Sequence, residues 1–242
     1  MKHKRKILLG SSTKVVKGEK EGYLTGIMYL APFNTSGLNV CPHASVGCAA
    51  VCLYISGRGA FNSTQLARIE KTNYVTQNRK GFDHNIDLDI KALQRKAERE
   101  GLIPCVRLNG TSDLGFNPVY LRHPDVQFYD YTPNPHRYRK YLNGQLPANY
   151  HLTFSRKEDN DKEINELISI DRSASISIAA CFTELPVTYK GLPVIDGDKT
   201  DLRFTDPKNV VVGLTFKGTK ANRLAAIKSG FCVDSATDPD CK

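Results

Sequence analysis

Six apolar, β-branched or aromatic runs, each followed by a polar stretch or a helical pattern, constrain most strongly how this 242-residue chain can fold. They are residues 23–30, 103–108, 126–131, 150–154, 175–180 and 210–216, and their length and composition read as strands. Helical spacing lies between them. Ser63 can cap a helix carrying Leu66, Ile69 and Val75 that ends before Gly81. Ile86, Ile90, Leu93 and Ala97 recur at helical spacing with Gly101 as the stop. Ile164, Leu167 and Ile168 mark a shorter helix, and Thr219 caps a last one bearing Leu224 and Ile227 and ended by Gly230.

Strands alternating with helices imply βα units and a largely parallel sheet. About six units point to an α/β protein built as a complete or partial parallel β/α (TIM-like) barrel. A doubly wound open sheet is the second expectation, weakened because no dinucleotide-type glycine motif follows the first strand. The expected organisation is a basic N-terminal arm over residues 1–22 and a single domain over residues 23–242. In a parallel barrel the loops after the strands build the site. Here those are residues 41–59, residues 109–113, residues 130–134, Ser155-Arg156 and the stretch after Phe216, all polar and expected to meet at one mouth.

Composition narrows the class. Apolar residues make up 40% and charged residues 24%, as in an ordinary globular protein. No apolar run approaches the roughly 20 residues that span a bilayer. Residues 7–9 are too short for a signal-peptide core, so a cytoplasmic protein with reduced thiols is expected. A net charge of +9 permits an anionic partner such as nucleic acid. Residues 136–141 interleave bases with aromatics, as a single-strand binding surface or a solvated helix face would.

Three of the seven cysteines, Cys41, Cys48 and Cys52, fall within twelve residues at the spacing C-x6-C-x3-C. Clustered thiols in an odd total favour a metal over disulfides. Zinc sites usually use C-x2-C pairs and four ligands, with His43 available as the fourth. Iron–sulfur clusters accept looser spacing, and three thiolates hold three irons of a cubane. The expected cofactor is therefore a [4Fe–4S] cluster on Cys41, Cys48 and Cys52. Its fourth iron is open to solvent, a small-molecule ligand or the distant Cys232.

Other loops supply candidates for that ligand. Gly57, Arg58 and Gly59 can wrap backbone N–H groups around the cluster or an anion, and Arg58 would offset its charge. Asn109, Thr111 and Ser155 are cofactor-binding candidates at strand ends. Asp113, Asp130, Arg156 and Lys217 are the catalytic candidates. Asp196, Asp198 and Asp201 with Arg203 read as an Asp–Arg turn or a divalent-cation loop, not an EF-hand. Cys105 and Cys181 read as core thiols, and Cys241 lies in the tail. The competing readings are packed, unligated cysteines, a structural zinc site, and a basic module binding nucleic acid or a host protein.

The run Cys-Pro-x-Ala-x-x-Gly-Cys over residues 41–48, followed by Cys52-Leu53 and Gly57-Arg58-Gly59, resembles phage proteins carrying the "gene product 88" domain. Residues 107–113, 128–132, 151–155, 194–198, 201–203, 206–207 and 213–214 continue the resemblance in order. It implies a phage origin, hence the host cytoplasm. A looser likeness is to radical S-adenosylmethionine enzymes, which bind a four-iron cluster through three thiolates after the first strand of a β/α barrel. That likeness implies S-adenosylmethionine as a further cofactor. The usual C-x3-C-x2-C loop is replaced here by C-x6-C-x3-C, and the Gly-Gly-Glu-type motif by residues 109–113, where Asp113 is the only acid.

Overall fold

The computed structural model describes residues 5–55, 57–169 and 176–242. Ser56 of the glycine run, Ser175 at the head of the fifth expected strand and residues 1–4 of the basic arm lie outside the described residues. The strands in chain order are β1 (Tyr23–Ile27), β2 (Ile103–Arg107), β3 (Gln127–Thr132), β4 (Tyr150–Ser155), β5 (Ser177–Phe182), β6 (Thr188–Tyr189), β7 (Leu192–Asp196), β8 (Val210–Thr215) and β9 (Cys232–Val233). The helices are α1 (Thr13–Val16), α2 (Val46–Ala50), α3 (Asn62–Gln77), α4 (Arg79–Glu100), α5 (Asn117–Arg122), α6 (Pro135–Leu142), α7 (Asp161–Ser169) and α8 (Lys220–Lys228).

The strand order is β1-β2-β3-β4-β5-β8-β7-β6, with β9 paired to β5. β1 and β2, β2 and β3, β4 and β5, β5 and β8, β5 and β9, and β7 and β8 pair in parallel, while β6 joins β7 antiparallel. The sheet is mixed α/β and mostly parallel, but it is not closed into a barrel. Closure needs the first and last strands to pair, and among the described residues β1 and β6 do not. At each end, residues outside the strands bond to the outer strand. Gly10 and Ile27 exchange backbone hydrogen bonds of 2.8 and 2.9 Å along the outer edge of β1. The C-terminal Lys242 bonds in the same way to Thr188 of β6, at 2.9 and 3.1 Å.

The chain divides into two compact units, with boundaries inside β3, inside β4 and within the cysteine segment. The first holds residues 1–42, 58–130 and 147–151. Its long helix α4 buries Phe82, Ile86, Ile90 and Ala97 and packs on β1 and β2. Gly101, left-handed at φ +66°, ends it as its sequence position predicts. The N-terminal segment is strapped to this helix. The Asp89 carboxylate accepts from the N–H groups of Leu8 and Leu9 at 2.6 and 3.1 Å and pairs with Arg5 at 3.0 Å. Lys71 Nζ donates to the Leu8 carbonyl at 2.7 Å, and burial pushes its ammonium pKa down.

The second unit holds residues 43–57, 131–146 and 152–242. Phe154, Ile178, Phe182, Val211, Ile164 and Leu167 are fully buried there. α6 starts with Asn134 as its cap and Pro135 in its first turn, and it drives Tyr138 into this core. The Tyr138 hydroxyl accepts from Ser177 N at 2.8 Å and donates to Ser177 O at 3.0 Å. Tyr138 therefore serves the core, Tyr141 is half-buried, and His136 and Lys140 face solvent. The connection after β8 returns through α8 and lays β9 beside the outer half of β5, in register Cys181 with Cys232.

Candidate functional site

The cysteine segment follows β1, as the sequence predicts, and it is shaped by a helix that periodicity does not reveal. Ser45 caps α2: its hydroxyl accepts from Cys48 N at 3.1 Å and donates to Glu158 at 2.7 Å. Glu158 also accepts from Gly47 N at 2.6 Å. A Cβ at Gly47 would sit 2.7–2.8 Å from the same carboxyl group, so any larger residue there would push the Glu158 side chain aside. Acidic charge at a helix start is favourable in itself. Cys48 is thus presented on a turn pinned from the β4–α7 loop. Sequence reasoning misses Glu158, because nothing local links residues 47 and 158; the Ser45-to-Cys48 cap is the one legible trace.

All seven cysteines carry thiols, and Cys41, Cys48 and Cys52 are half-buried. Cys41 belongs to the first unit, where its sulfur lies 3.6 Å from the Thr111 carbonyl. Cys48 and Cys52 belong to the second. Among the described residues, no three His, Cys, Asp or Glu side chains stand close enough to hold one metal ion. Three thiols are a donor set that iron–sulfur clusters use. Gly57–Ala60 form a 3-10 turn in which Gly57 has φ +52°, Arg58 is exposed and Gly59 is buried.

The loop after β2 is brought to Cys41. Asp113 N donates to the Val40 carbonyl at 2.8 Å, and Gly110 N to the Met28 carbonyl at 3.0 Å. Its polar side chains hold the loop itself. Thr111 Oγ1 donates to the Leu30 carbonyl at 2.6 Å, and Asn109 Oδ1 accepts from Ser112 Oγ and Leu114 N at 2.8 and 2.9 Å. Asp130 is fully buried and accepts from Asn109 N and Nδ2 at 2.8 and 3.0 Å, with Tyr120 Oη 3.3 Å away. Asp113 is half-buried.

The expected residues of the second unit are likewise occupied. The Arg156 guanidinium is buried and donates to the carbonyls of Gly230 and Phe231, which lead into β9. The Ser155 carbonyl accepts from Asn160 Nδ2 at 2.9 Å. Lys217 pairs with Asp198 at 2.7 Å, and Thr215 Oγ1 donates to the same carboxylate at 2.6 Å. Asp198 N donates to Asp196 at 2.9 Å, and Tyr131 Oη to Asp201 at 3.4 Å. Arg203 is buried beside Asp206 at 3.3 Å, so the acidic stretch is built around ion pairs and turns. No described helix is long and apolar enough to cross a membrane.

No curated protein and no solved structure matches the chain. The model of the family described as Gene product 88 matches residues 5–235, which takes in both units, the cysteine segment and every strand from β1 to β9. The chain belongs to the Gene product 88 family.

Proposed function

We propose that this protein binds a [4Fe–4S] cluster through the thiolates of Cys41, Cys48 and Cys52, with one iron left open to a small ligand. The reading is carried by the setting of the cysteine segment. Three half-buried thiols lie within twelve residues, flanked by large apolar side chains that face solvent. Val46 is 86% exposed, Leu53 58% and Ile55 44%. An apolar shell lowers the local dielectric around a cluster and tunes its potential, and these side chains are positioned in sequence to supply one.

Such a cluster provides one-electron redox chemistry and, at an open iron, a Lewis-acid position. The chain's own residues have separate tasks. Glu158 and Ser45 hold the first turn of α2 and with it Cys48. Arg58, exposed on its glycine turn, would offset the charge of the thiolates. Asn109, Ser112 and Asp130 keep the loop bearing Thr111 and Asp113 rigid beside Cys41.

Anaerobic reconstitution of the full chain with ferrous iron and sulfide is expected to give a brown protein with about four irons per chain. Serine at Cys41, Cys48 or Cys52 should remove most of that iron. Absorption and EPR spectra with and without S-adenosylmethionine test whether that molecule is the ligand of the open iron. A colourless protein carrying one zinc overturns the cluster.

A further inference from the structure

Cys181 on β5 and Cys232 on β9 are register partners on adjacent parallel strands, and their sulfurs lie 3.2 Å apart. Adjacent strands are spaced about 4.8 Å apart, inside the Cα separation of roughly 4.4–6.8 Å that a disulfide spans. Hydrogen bonds already fix the backbone around the pair. Thr183 N donates to the Val233 carbonyl at 2.9 Å, and Ser235 N to Thr183 Oγ1 at 3.1 Å. Arg156 holds the two carbonyls just before Cys232. We propose that Cys181 and Cys232 form a redox-active dithiol, which a peroxide converts to a disulfide tying β9 to β5.

The surroundings favour a thiol on Cys181 facing a thiolate on Cys232. The hydrogen bond from Cys181 lowers the Cys232 thiol against the effect of burial, helped by Arg223 and Arg156 and opposed by Asp234. The same bond, with burial, pushes the Cys181 thiol up. The proton of the pair therefore stays on Cys181 and the charge on Cys232. Cys181 is half-buried and Cys232 only 1% exposed, so peroxide reaches the pair from the Cys181 side. The Cys232 thiolate attacks one peroxide oxygen. An S–O bond forms, the O–O bond breaks, and the departing hydroxide takes a proton from solvent. Cys181 then attacks the sulfenic sulfur: the S–S bond forms, the S–O bond breaks, and the Cys181 proton leaves with hydroxide as the second water. Two thiols lose two electrons and the peroxide gains them. The assignment does not depend on the iron–sulfur reading.

The test uses the full chain, reduced and metal-stripped, treated with stoichiometric hydrogen peroxide and then alkylated in denaturant. Seven alkylatable thiols should fall to five, with a mass loss of about 2 Da and one cross-linked peptide joining Cys181 to Cys232. Dithiothreitol should restore all seven. Cys232→Ser should show no 2 Da loss, and Cys181→Ala gives the same readout if the first variant folds poorly. The proposal is overturned if Cys181 and Cys232 remain alkylatable while another pair links, or if the intact chain goes to sulfinic acid at Cys232.

Discussion

Asp130 exposes no surface, so whatever it does it does through the groups that touch it. It is the acceptor that keeps Asn109, and with it the whole β2 loop, in one conformation beside Cys41. Asp130→Ala would leave the Asn109 donors unmet in the interior, and a cost of roughly 3 kcal/mol in urea unfolding is expected. Gly110 adds a second constraint. A Cβ there would lie 2.8 Å from the Met28 carbonyl oxygen and 2.7 Å from the Tyr29 ring. Backbone cannot swing aside as a flexible side chain can, so Gly110→Ala should cost about 2 kcal/mol and shift the loop. Lower iron uptake by this variant, with Cys41 intact, would tie the loop to the cluster. The sequence marks residues 109–113 as a polar strand-end loop. It does not reveal that most of those side chains are consumed in holding the loop still, because their partners lie up to 81 residues away.

Helices with a long apolar stripe were legible. The spacing of Ile86, Ile90, Leu93 and Ala97 finds α4 and its glycine stop, and Thr219 does cap α8, accepting from Asn222 N at 3.2 Å. Short elements are a different matter. α2, α5, β6 and β9 are two to six residues long, too brief for any period to register. They exist because tertiary partners complete them: Glu158 for α2, the outer half of β5 for β9. α6 lies between these cases. Asn134 Oδ1 accepts from His136 N and Arg137 N at 3.0 and 3.2 Å, leaving Tyr138 aimed inward. Asn134→Ala should destabilise the chain by about 1 kcal/mol in thermal or urea unfolding. A larger loss would mean that the placement of Tyr138 depends on the cap.

Acid should weaken both units, through different carboxylates. Burial raises the Asp87 carboxyl, but hydrogen bonds from His123 and Arg122 outweigh it and leave the group below its ordinary 3.8. At Asp198 burial is outweighed in the same way by Lys217 and Thr215. Each binds fewer protons folded than unfolded near pH 4, so its contribution is present above that value and is lost as pH falls through the depressed folded one. Urea midpoints measured from pH 6 down to pH 3 should fall most steeply below about pH 4. The paired variant Asp87→Asn, Asp198→Asn should flatten that limb.

At the same scale the barrel expectation gives way to an open sheet. Six of the strands, their parallel sense and the helices between them follow from the sequence by itself, because apolar period, glycine stops and capping residues act within a few positions of one another. Whether such a sheet closes is a long-range matter. Gly10 bonds to β1 at Ile27, Lys242 bonds to β6 at Thr188, and β9 fills the side of β5 beyond β4. Those pairings join residues far apart in the chain, and only the tertiary structure chose among the edges available.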